Sequence, residues 1–211
     1  MRRDIDRTVR RSMQYFYDDG LAELASGAIF LAIGLLFLVE ALASPGSLPR
    51  NFSAVGIVIL VGGGIWLAGL AVRWAKARIT YPRTGYVRVR RPARTRQRRI
   101  GTLILGASVS IAVVLLLSVV GPAYLAWIPT FHGLLIGGFL LFMGSHLGLI
   151  RFCLLAGLSA LAGTAASLAG LGDTLGSAAY FVAMGIALLC SGGVTLYLYL
   201  RRSSPTEGEQ P

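Results

Sequence analysis

The sequence predicts an all-α polytopic transmembrane bundle of six spans, and three observations lead there. Its apolar residues come in blocks close to the roughly 20 residues that a helix needs to cross a hydrocarbon core. Charged residues make up only 14% of the chain, against about a quarter in soluble domains, so a soluble fold would lack the polar surface to cover those blocks. Nineteen of the 20 Lys and Arg residues fall on one side of a six-span arrangement. The spans must be helices, because lipid cannot satisfy open backbone amides and carbonyls, and the alternating pattern of a transmembrane β-barrel is absent.

Residues 1–20 form an N-terminal segment that precedes the bundle. Within it, residues 4–17 predict a short amphipathic helix. Ile5, Val9, Met13 and Phe16 recur at helical spacing, with Arg7, Arg10, Arg11 and Gln14 on other faces. Such a helix lies in the membrane interface with its apolar face among acyl chains. Asp18, Asp19 and Gly20 break it, one aspartate caps the first span, and Glu23 in the opening turn favours the helix dipole.

The bundle covers 21–200, with spans at 21–43, 54–73, 100–120, 128–150, 152–171 and 175–200. The apolar stretch of the first span is longer than the ~7–15 residues of a signal h-region, so Ala41-Leu42-Ala43 reads as part of a retained helix. Only Arg151 and its neighbours separate the fourth and fifth spans. Cys153 and Cys190 lie inside spans as small buried apolar residues without metal-binding companions.

A basic loop, 74–99, joins the second and third spans. From Arg73 to Arg99 the chain holds eleven cations and no acid. Its middle, Ile79 to Val89, reads as a small β-hairpin around a Pro–Gly turn. By the positive-inside rule this loop and both termini are cytoplasmic. An odd number of spans would put Arg201 and Arg202 on the wrong side. The loop acts as a topology determinant, and Arg83, Arg88, Arg90, Arg91, Arg94, Arg96, Arg98 and Arg99 are candidate contacts for anionic lipid or a partner. Charge alone, without a recognised nucleic-acid-binding fold, predicts no nucleic-acid partner. Residues 201–211 form a polar cytoplasmic tail, predicted disordered.

Asp19-Gly20-Leu21 with Glu23, followed by Arg78 and Tyr81-Pro82-Arg83-Thr84-Gly85-Tyr86-Val87, resembles a pattern in uncharacterised bacterial multi-span membrane proteins. It covers the first 90 or so residues. The resemblance implies a bacterial inner-membrane location and no catalytic activity.

In the fourth span Gly133, Gly137, Gly144 and Gly148 fall within about 60° of one another, a groove for a close helix neighbour. Ala156, Ala160, Gly163, Ser167 and Gly170 make a comparable seam on the fifth, which is small-residued all round and so predicted central. Such seams serve packing within the chain. They also suit a homo-oligomer, a larger membrane complex or the sliding surface of a transporter.

Ionisable groups inside a membrane are costly, so each is a functional candidate. Glu40 lies near the external end of the first span, and His146 lies about 7.5 Å along the axis from Arg151. His132 and His146 stand about 40° apart in azimuth and about 21 Å along one helix. That spacing resembles the paired haem ligands of cytochrome b-type proteins; this chain has no other histidine to supply partners, so only a homodimer or unusual axial ligands would complete a haem site, and a haem-binding protein is the third expectation. No haem or other cofactor is otherwise indicated. Gly144-Ser145-His146 lacks the second glycine of an intramembrane serine protease, and adjacent Ser and His point about 100° apart on a helix. No HExxH, P-loop or acidic metal cluster occurs. The sequence therefore leans away from an enzyme, towards a scaffold, sensor or accessory subunit. A small transporter, proton-linked through Glu40 or His146 and built around the glycine-rich second span with Gly62-Gly63-Gly64, is the second expectation.

Overall fold

The first and last helices of the bundle run antiparallel with their backbones in near contact, and glycine makes this approach possible. The computed structural model describes residues 17–80 and 122–202. They form five α-helices: α1 (Leu21–Leu42), α2 (Leu48–Ala75), α3 (Ile128–Leu147), α4 (Ile150–Leu168) and α5 (Gly172–Arg202). A π-helical turn, Lys76–Thr80, extends α2, and a 3₁₀ stretch, Pro122–Trp127, leads into α3. No strand occurs among the described residues. The amphipathic helix at 4–17, most of the hairpin at 79–89, the third span at 100–120 and most of the tail lie outside them, apart from Tyr17, Ile79, Thr80, Arg201 and Arg202.

Local signals explain where the helices start and stop. Pro49 sits in the first turn of α2, where its fixed φ suits a helix start. The helix accordingly begins at Leu48, six residues before the boundary anticipated at 54. At its other end it does not give way to a strand at Ile79 and Thr80, because the π turn continues through both. Gly148 ends α3 with φ 71°, accepted readily only by glycine, and its N–H bonds the Gly144 carbonyl. Gly148 is thus a terminator, whereas Gly133, Gly137 and Gly144 do face α4. The break falls at Gly148-Leu149, so Arg151 lies in the first turn of α4 and not in the link.

The close approach on α1 and α5 follows a seven-residue rhythm. Gly20, Gly27 and Gly34 on one side meet Gly192, Gly185 and the backbone at Val182 on the other. A Cβ at Gly185 would lie 2.7 Å from the Leu31 nitrogen, too near for any side chain. Below this seam Tyr180, Met184, Leu188 and Phe181 from α5 fill the core with Ile33, Leu140, Phe152 and Leu155. Polar side chains bind α3 to α4 and α5. The Ser159 hydroxyl donates to the Gly133 carbonyl (3.0 Å), and the Tyr180 hydroxyl lies 2.8 Å from Ser159. Thr130 N–H donates to the Ser167 hydroxyl at 3.1 Å. In a membrane such small-residue contacts and interhelical hydrogen bonds replace a hydrophobic drive.

The outside of the bundle is apolar. Leu35, Phe52, Trp66, Phe139, Leu154 and Ile186 are among many large side chains left exposed, an arrangement suited to lipid and unlike a soluble surface. Among the described residues four helices are long and apolar enough to cross a membrane by length and composition, and α2 makes a fifth when its two arms, which meet at 56°, count as one span. Cys190 is exposed and Cys153 half-buried against Gly144, so the thiols are less enclosed than their position in spans suggested.

Overpacking a tight contact costs about 1–3 kcal/mol. Gly185→Ala should therefore lower the thermal midpoint measured by circular dichroism in detergent. Gly193→Ala, where a Cβ meets nothing within 4 Å, should not. Equal effects at the two positions would exclude the backbone contact as the cause.

Candidate functional site

Buried charge gathers at one end of the bundle, where α1 and α4 start and α2, α3 and α5 finish. Among the described residues this basic end holds two ion pairs, both hung on the seven residues from Tyr17 to Glu23. Asp19 is the first acid. Its Oδ1 accepts from Leu21 N–H (3.2 Å), capping α1, and its Oδ2 lies 2.5 Å from Lys76 Nζ. Asp19 and Lys76 are 1% and 3% exposed, so this pair is fully enclosed. Lys76 opens the π turn, and the ion pair pins that extra turn against the start of α1. The anticipated loop begins later for this reason.

Glu23, 3% exposed, is the second acid. Ser191 on α5 donates to its Oε2 at 2.5 Å. Arg151 Nε stands 2.8 Å from its Oε1 but off the N–H axis, so the contact is an ion pair without a linear hydrogen bond. The guanidinium also donates to the Tyr17 carbonyl and, at 3.3 Å, to the Thr195 hydroxyl. Thr195 in turn donates to the Ser191 carbonyl (2.8 Å). Arg151 thereby joins the start of α4 to α1, α5 and the turn before α1. A cation in the first turn of a helix opposes the dipole, and moving each ion out of water costs several kcal/mol. Glu23 and the carbonyl of Tyr17 offset both. Asp18 stands beside this cluster on the rim. Partial burial raises its carboxyl above the ordinary range against the pull of Arg151, while Asp19 adds to the rise and Lys76 opposes it.

The residues singled out from the sequence are scattered by comparison. Glu40 is half-buried in the last turn of α1, at the end opposite the basic one. His146 is exposed near the end of α3, stacked on Phe142 at 5.6 Å between ring centroids. His132 turns its ring into the bundle, 5.0 Å from Phe181 and 6.0 Å from Tyr180. The two imidazoles thus open in different directions, one inward and one outward. The described residues contain no group of three or more His, Cys, Asp and Glu placed to hold a metal ion. Arg83, Arg88, Arg90, Arg91, Arg94, Arg96, Arg98 and Arg99 lie outside the described residues.

In the sequence Asp19 and Glu23 stand at the head of the first span, where a cap and a dipole-favoured acid are the only roles their spacing suggests. Lys76 and Arg151 counted as topology charges. Their pairing spans 57 residues in one case, and no periodicity links them. The acids were nonetheless conspicuous, because a buried helix start that carries two carboxylates requires cations from elsewhere. No protein-family model matches the chain, and no curated protein or solved structure matches it significantly.

Removing one member of a buried pair leaves an uncompensated charge. Arg151→Met should cost about 3 kcal/mol, the low end of the range for a broken buried pair, since the Arg151 side chain keeps 23% exposure. Adding Glu23→Gln should recover part of that loss in a double-mutant cycle of detergent unfolding midpoints. Strict additivity would show that the two side chains do not interact.

Proposed function

We propose that this chain is a non-enzymatic integral membrane protein of the bacterial cytoplasmic membrane, a scaffold, sensor or accessory subunit whose basic cytoplasmic face holds anionic lipid or an acidic partner. The distribution of charge, once the buried pairs are accounted for, carries this reading. Nineteen cations and seven acids fall on one side of the six-span arrangement. Asp19 with Lys76 and Glu23 with Arg151 neutralise each other within the bundle. Seventeen cations against five acids are left for the rest of that side.

Such an excess supports a cytoplasmic assignment for the basic end and both termini. Thr80 and the Pro122–Trp127 stretch lie at opposite ends of the bundle, which supports a sixth crossing through the apolar residues 100–120. Each cation near an anionic surface contributes about 1 kcal/mol. The face attracts acidic lipid without requiring any catalytic group.

A transporter is the second reading, favoured by the 56° bend of α2 next to its glycine triplet. Interrupted spans of this kind surround midplane sites in transporters. Its candidate proton carriers, Glu40 and His146, sit towards opposite ends of the bundle and share no contact among those described.

Native mass spectrometry of the detergent-purified protein with added phosphatidylglycerol tests the first reading. Changing Arg88, Arg90, Arg91, Arg94 and Arg96 together to Gln should weaken phosphatidylglycerol retention at least about tenfold while leaving the unfolding midpoint in place. Undiminished retention would reject an anionic-lipid face on the loop. In reconstituted vesicles, Glu40→Gln and His146→Ala should leave proton flux unchanged, and a loss of flux in either variant would favour the transporter instead.

A further inference from the structure

Two aromatic–arginine pairs stand on the outside of the basic end, one on α2 and one on α5. On α2 the Arg78 guanidinium lies 4.5 Å from the ring centroid of Trp74. On α5 the Arg201 guanidinium lies 5.4 Å from the ring of Tyr197. Both pairs have the same spacing of four residues, with the cation on the side of the helix end. On α5 the cation therefore sits about 6 Å further out along the axis than its aromatic partner, and Arg78, in the π turn that extends α2, likewise lies nearer the helix end than Trp74.

Each pair faces away from the bundle. Trp74 is 62% exposed and Tyr197 58% exposed, whereas Lys76 on α2 is buried against Asp19. Thr195 on α5 likewise turns towards Arg151. At about 100° per residue, Trp74 and Tyr197 each stand roughly 160° from these inward-turned neighbours. Each pair joins residues of one helix, and neither ring belongs to the buried core.

The chemistry of the pairs matches one kind of partner. Trp and Tyr rings favour the headgroup level of a bilayer, where an apolar ring meets water. Stacking on a ring occupies the face of a guanidinium and leaves its edge of N–H donors, which fit phosphate oxygens in a forked geometry. The ring holds the cation in place, so less side-chain freedom is lost when a phosphate binds. Charge complementarity points the same way, because this end carries the excess of cations described above.

We infer that Trp74–Arg78 and Tyr197–Arg201 are two headgroup clamps, each seating the phosphate of an anionic phospholipid at the boundary of the basic end. This rests on the reading of the basic end as an anionic-lipid face, and it deepens that reading with a defined pair of sites. The rings mark the carbonyl level of the leaflet and the guanidinium groups its phosphate plane. Because α2 and α5 each pack against α1, the clamps fix the depth of the bundle at two separate helices.

Two measurements on the full chain test the clamps. In Trp66→Phe/Trp127→Phe protein, Trp74 is the sole tryptophan, and both replaced residues are exposed ones. Reconstituted in phosphatidylglycerol vesicles, its emission should be quenched several-fold more by lipids brominated near the headgroup than by lipids brominated at mid-chain. Stronger mid-chain quenching would overturn the placement.

In native mass spectrometry, Arg78→Gln and Arg201→Gln should each remove one tightly retained phosphatidylglycerol and leave phosphatidylcholine retention unaltered. A double variant that keeps the full phosphatidylglycerol complement would overturn the clamps. Should it do so while the loop-arginine variant loses lipid, the clamps fail and the basic-face reading stands. Should neither variant lose lipid, the basic-face reading fails with them.

Discussion

The backbone contact between α1 and α5 is the constraint on which the rest of the described bundle depends. It joins the first described helix to the last, and it brings Gly20 against Gly192 at the basic end. Only at such short range can the Glu23 carboxylate reach Ser191 while Arg151 reaches Thr195 one turn further along α5. With a bulkier interface the helices would separate by a side-chain width, and the charges would open to water or lipid. The glycine seam and the charge cluster are two parts of one arrangement.

The cluster divides the charge of that end into two populations with different roles. Asp19, Lys76, Glu23 and Arg151 turn inward and spend their charge on each other. Arg78, Arg201 and Arg202 turn outward. An inward cation is held by geometry and is indifferent to the membrane's lipids. An outward cation gains from anionic headgroups and loses that gain in salt. Counting cations along the chain merges these populations, which is why net charge alone overstates what Lys76 and Arg151 contribute to a basic face.

Much of the architecture was legible because it follows from a single physical demand. Apolar blocks must span the hydrocarbon, and α1, α3 and α4 start or end within three residues of the boundaries that demand implies. The groove of Gly133, Gly137 and Gly144 was legible through helical periodicity, and it does face α4. The larger seam on α1 and α5 was missed, although its seven-residue spacing stands in the sequence. Two helices separated by 129 intervening residues, from Leu42 to Gly172, give no local hint that they meet. Gly148 was misassigned because azimuth cannot distinguish a packing glycine from a terminator. The site was hidden for a related reason: Glu23 is a plausible N-terminal helix acid by itself, and only the fold reveals Arg151 as its partner.

The ion pairs also resolve an ambiguity that the glycine seam creates. A seam with a seven-residue repeat matches itself again after a slip of one repeat, about 10.5 Å along the axis. Small residues would tolerate part of that slip, since Gly27 would then face Gly192 and Gly34 would face Gly185. The charges would not. After such a slip Glu23 would lose Ser191, Arg151 would lose Thr195 or the Tyr17 carbonyl, and an acid buried in the bundle would stand uncompensated. Breaking a buried pair costs about 3–5 kcal/mol, enough to populate one register almost exclusively. In this bundle the glycine seam supplies the close adhesion of α1 and α5, and the buried charges add to the preference for one register.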